Sequence, residues 1–78
     1  MNWEQIGGKW NHLTGSARER WSKLSENDCV SIGGSKHQLV RRIQERYGVT
    51  KAEAEKQADE WTLVLDQYER DRHAATRL

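Results

Sequence analysis

"QLVRRIQERYGVTKAEAEKQADEW", Gln38 to Trp61, carries two apolar rows at helical spacing with a short break between them. Before the break, Leu39, Val40, Ile43 and Tyr47 share one face when projected at about 100° per residue. After it, Ala54, Ala58 and Trp61 form a stripe that Leu65 and Tyr68 continue. The break reads as a stop followed by a start. Gly48 suits the left-handed position that closes a helix, Thr50 and Glu53 have the spacing of a capping box, and Val49 can staple onto Ala54. Two helices in succession are predicted, and with them an all-α fold.

Upstream, Ser35 with Gln38 caps the first of these helices, and "SENDCVSIGG" opens on Ser25 and Asp28 in the same relation. One short helical turn is expected there before Gly33 and Gly34 stop it. Further toward the N-terminus, Trp3, Ile6, Trp10 and Leu13 mark one stripe, and Ala17, Trp21 and Leu24 another. Gly15 followed by Ser16 and Glu19 suggests a fresh helix start between them. The apolar spacing nevertheless runs almost unbroken across Gly15, so one bent helix over residues 3–24 is an equal expectation. Gly7 and Gly8 inside it each cost up to about 1 kcal/mol against alanine, so tertiary packing must hold this segment.

The predicted core is therefore Trp3, Ile6, Trp10, Leu13, Trp21, Leu24, Leu39, Val40, Ile43, Tyr47, Ala54, Ala58, Trp61 and Leu65. Trp3, near the end of the chain, is the tryptophan expected to be least covered, and Leu63 projects away from the last stripe. Arg72 falls on that stripe, so packing is expected to stop near Tyr68. Residues 1–71 then form a single domain and residues 72–78 a frayed or disordered tail.

Composition agrees with helices. There is no proline, 32% of the residues are charged, the mean hydropathy is −1.05, and the formal net charge is only +1. Four tryptophans supply much of the apolar surface. A 78-residue chain has one core, from which about 3–5 kcal/mol of net stability is expected. No window approaches the ~20 apolar residues of a membrane-spanning helix, and the opening lacks a signal-peptide pattern, so a cytoplasmic protein is expected.

The chemistry-bearing candidates are few. "SIGGSK" places Gly33, Gly34, Ser35 and Lys36 at a helix start, with Arg41 one turn further on, an arrangement able to contact a phosphate or nucleic acid. It lacks the spacing of a Walker or dinucleotide loop, and the second spaced glycine of a helix-hairpin-helix turn. From Gly33 to Thr50 there are four cations against one anion, whereas from Lys51 to Asp71 there are three against seven. Neighbouring helices of opposite sign read more simply as partners of each other, so nucleic acid is possible but not favoured. His12, His37, His73 and the single Cys29 lack the spacing of a metal site, and Cys29 reads as a small core residue. No catalytic residue, cofactor or metal is expected; the macromolecular partner and oligomeric state are unknown. A Trp-rich first helix also admits a peripheral membrane role.

The landmarks resemble the CsbD-like family of small bacterial general stress-response proteins. "GKWNHLTGSARERWSKL" fits its pattern of Gly8, Trp10, Leu13, Gly15, Trp21 and Leu24. Gln38-Leu39-Val40, Ile43 to Gly48 and Ala54-Glu55 extend the likeness. Ser16 and Arg41 depart from it, where relatives often carry lysine and glycine. The resemblance implies a compact bundle of four to five short helices, arranged as two α-hairpins packed crosswise, and accumulation under stress. It supplies no reaction and no site residues. The expected function is thus a non-enzymatic binding or protective module, with weak nucleic-acid binding as the alternative.

Overall fold

The computed structural model describes the backbone of residues 2–76 and the side chains of residues 2–67. Five helices follow one another: α1 Trp3–Gly8, α2 Trp10–Arg20, α3 Glu26–Ile32, α4 Lys36–Tyr47 and α5 Lys51–Thr76. No strand occurs among the described residues, and the protein is a small all-α bundle. α4 packs along α5 and against α3, and α1 against α2.

Local chemistry explains most of the boundaries. Asn2 caps α1 through a reciprocal pair with Gln5: the Gln5 N–H donates to Asn2 Oδ1 at 2.8 Å, and the Asn2 N–H to Gln5 Oε1 at 3.1 Å. Ser25 and Asp28 make the corresponding box at α3. Ser35 Oγ accepts from Gln38 N at the start of α4, and Thr50 Oγ1 from Glu53 N at the start of α5. Gly33 and Gly48, at φ 55° and 64°, close α3 and α4 in the left-handed region that glycine enters without a Cβ clash.

Two local expectations need correction. The break between the first two helices lies at Lys9, not at Gly15. Lys9 leaves helical geometry at φ −113° and ψ 14°, and its N–H is shared between Gln5 O and Ile6 O. The paired glycines before it disfavour continuation, whereas Gly15 is carried through by the buried residues Leu13 and Ala17 on either side of it. Ser16 caps nothing; it accepts a hydrogen bond from a distant tryptophan. The second correction concerns α3, which runs for two turns rather than one and thereby buries Ile32 three residues after Cys29.

The core gathers Ile6, Trp10, Leu13, Ala17, Trp21, Leu24, Cys29, Ile32, Leu39, Val40, Ile43, Ala54, Ala58, Trp61 and Leu65. Trp3 and Tyr47, both expected inside, are half-buried at its edge, together with Val49. Tyr47 is held there because its hydroxyl oxygen accepts from the Lys23 N–H at 3.0 Å, which keeps its polar tip at the surface. The backbone of α5 stays helical to Thr76, past residue 72 where the tail is expected to begin; the side chains of Tyr68 and Arg72, and residues 77–78, lie outside those described.

Trp61 sits at the centre of the aromatic packing. Its ring centroid is 5.5 Å from Trp21, 6.1 Å from Trp10 and 6.3 Å from Trp3, with the first two contacts edge to face. The three buried indoles also have their N–H groups paired. Trp10 donates to Cys29 O at 2.8 Å, Trp21 to Gln57 Oε1 at 3.0 Å and Trp61 to Ser16 Oγ at 3.2 Å. Among the described residues no buried side-chain polar atom lacks a partner, so the rings are buried without the cost of a stranded donor.

Truncating such a ring costs about 3–5 kcal/mol, similar to the whole margin expected of a domain this size. Trp61→Ala should therefore be largely unfolded by far-ultraviolet circular dichroism at 25 °C. Trp61→Phe, which keeps an aromatic ring but loses the donor to Ser16, should fold with a urea midpoint lowered by the equivalent of about 1–2 kcal/mol.

Candidate functional site

The glycine turn is the feature of the sequence with the greatest capacity for ligand chemistry, and the fold engages several of its groups in internal bonds while burying only Gly34. The Gly33 N–H donates to Cys29 O at 3.2 Å, and the Ser35 N–H to Ile32 O at 3.0 Å. Ser35 Oγ is the helix cap already described. Gly34, buried and at φ 83°, lies directly on the backbone of α1: a Cβ there would come within 2.6 Å of Gly7 Cα. Lys36 Nζ meets Asp59 Oδ1 at 2.8 Å. Gly33, Ser35 and Arg41 are exposed, and of the two cations among the five candidates Arg41 has no ion pair among the described residues. The structure thus brings Gly33, Gly34, Ser35 and Lys36 together as a packed corner between α3, α4 and α1, with Arg41 on the outside of α4.

The two glycines facing each other in this corner have opposite tolerances. At Gly34 a methyl group collides with backbone and the positive φ is unfavourable for any other residue. At Gly7, which is helical, the nearest atom to a new Cβ is Gly34 O at 3.8 Å, an ordinary contact.

The polar centre of the molecule lies elsewhere, at Asp28, which is only 3% exposed. One carboxylate oxygen, Oδ2, accepts from the Ser25 N–H at 3.0 Å and from Arg46 Nε at 2.9 Å, while Oδ1 accepts from Arg46 Nη2 at 2.9 Å. Arg42 Nη1 stands 3.8 Å from the same Oδ1 and 3.2 Å from Glu45 Oε2. The forked Arg46 contact, aided by the Ser25 amide, holds the Asp28 carboxyl well below the usual carboxylate range despite the opposing effect of burial. Sequence reading identified Asp28 as a capping residue and missed its second role. The charge balance pairs the cations of α4 with the acidic α5, and Lys36 does reach across to Asp59 there. Arg42 and Arg46 turn instead to α3, because the carboxylate there is fixed in place by its cap.

Cys29, beside Asp28, is buried with its thiol pushed above the ordinary value, first by burial and then, in the same direction, by Asp28 and Glu26; Arg18 opposes this. A thiol so placed is protonated near neutral pH and weakly nucleophilic. It lies at the base of a half-open groove of about 280 Å³ between α2 and α3, bordered by Trp10, Thr14, Gly15, Arg18, Glu26 and Val30. Among the described residues no cluster of three or more His, Cys, Asp or Glu side chains forms a metal site. Nor, among the described residues, does any helix have the length and apolar character to cross a membrane. Among the described residues the large apolar side chains left open are Val30, Leu63 and Val64, at 76%, 67% and 56% exposure.

Comparison with known proteins finds relatives along most of the chain. It is 46% identical over 61 residues to UPF0337 protein YjbJ of Escherichia coli, an alignment covering 78% of this chain and 88% of the relative. A UPF0337 protein of Pectobacterium atrosepticum is 48% identical over the same length, with the same coverage. Another, of Protochlamydia amoebophila, is 38% identical over 68 residues, covering 87% of this chain and 98% of the relative. No protein-family model matches the chain.

Two measurements test these assignments. Gly34→Ala should lower stability by about 1–3 kcal/mol, while Gly7→Ala should leave it unchanged or raise it by up to about 1 kcal/mol; urea titration of the two variants makes the comparison. For Asp28, a folded-state pKa below the unfolded one means that its stabilisation is fully present above the unfolded value and is lost as pH falls through the folded one. The melting temperature of the unmodified protein should exceed that of Asp28→Asn at neutral pH, and the difference should shrink steadily below about pH 4.

Proposed function

We propose, for a chain that belongs to the UPF0337 (YjbJ-type) family, which is the CsbD-like family, a non-enzymatic role in the bacterial stress response: a small cytoplasmic module that contacts and protects other macromolecules. The observation that carries this reading is the internal use of the reactive groups. Asp28 is held by Ser25 and Arg46, Ser35 caps a helix, Lys36 is paired with Asp59, and Cys29 is buried with a raised thiol pKa. What the molecule offers outward is a mixed-charge helical surface interrupted by Val30, Leu63 and Val64. Exposed apolar side chains among charges suit weak, reversible contact with partly unfolded chains, since apolar contact supplies attraction and the surrounding charge keeps the complex soluble.

The rival reading, nucleic-acid binding through the glycine turn, has the Gly33 and Ser35 amides and the Lys36 ammonium already engaged in internal contacts and leaves Arg41 outside. A near-neutral chain also provides little of the electrostatic attraction that drives phosphate binding.

The deciding experiment is suppression of heat-induced aggregation of a model enzyme, followed by light scattering, at a temperature at which this protein stays folded. Suppression at near-stoichiometric ratio is expected. It should weaken at least several-fold in the Leu63→Lys, Val64→Lys double variant, whose helical circular dichroism should be unchanged because both positions are exposed. No suppression at a large molar excess overturns the proposal, as does an equal effect of the double variant. Fluorescence anisotropy with labelled DNA and RNA at about 50 and 200 mM salt should show no salt-sensitive binding. Tight binding that falls with salt and with Arg41→Ala would support the rival instead.

A further inference from the structure

We draw no further inference here: the strongest candidate, the half-open groove between α2 and α3 above Cys29, has Arg18 and Glu26 of opposite charge on its two sides, and nothing in the structure shows what covers it.

Discussion

The Trp61 indole, in contact with the three other tryptophans, is the constraint on which the bundle depends. α5 carries that ring, and the rings it meets belong to α1, α2 and the residue that follows α2. A single side chain therefore joins the N-terminal third of the molecule to its last helix. In a chain of this size each aromatic ring contributes a large fraction of the buried apolar area. The paired N–H groups give those rings orientation as well as attraction, because each donor has an acceptor in a fixed direction. One of those acceptors, Ser16, lies next to Gly15, which explains why a serine placed like a helix start instead stays in mid-helix.

A second tie operates by charge. Asp28 caps α3 and at the same time receives the fork of Arg46 from α4, so the direction of α3 and the position of α4 are coupled through one carboxylate. Only the Asp28 side of this pair is enclosed, the Arg46 side chain being 45% exposed; desolvation of the carboxylate opposes the attraction, and removing Arg46 is costly because the buried Asp28 charge is left without its fork. The value of the pair lies in register: the bidentate contact specifies one relation between two short helices whose apolar faces alone would allow several. Gly34 against Gly7 adds a steric tie between the α3–α4 turn and α1, where the absence of a side chain at Gly34 permits the approach.

These internal commitments bear on function. A helix start rich in glycine, serine and lysine resembles an anion site when read along the chain, but in the fold its groups join helices together. Among the described residues, the outward surface carries charges of both signs and the exposed apolar side chains Val30, Leu63 and Val64, the features on which the proposed contact role rests. UPF0337 relatives share most of the chain with this protein, so the same arrangement of tryptophans and caps is open to test across the family.

Helical periodicity and capping were legible in the sequence because both depend on residues three or four positions apart. The stripes of α4 and α5, the caps at Ser25, Ser35 and Thr50, and the glycine stops at Gly33 and Gly48 all belong to this class. Ile32 was missed only because α3 was read as one turn; its spacing from Cys29 carried the signal. What the tertiary structure alone decided are pairings across long separations: Arg46 with Asp28 over 18 residues, Trp21 with Gln57 over 36, and Trp61 with Ser16 over 45. A local pattern states which face of a helix is apolar. It does not state which helix that face meets, or which polar group stands opposite once two apolar faces have closed together.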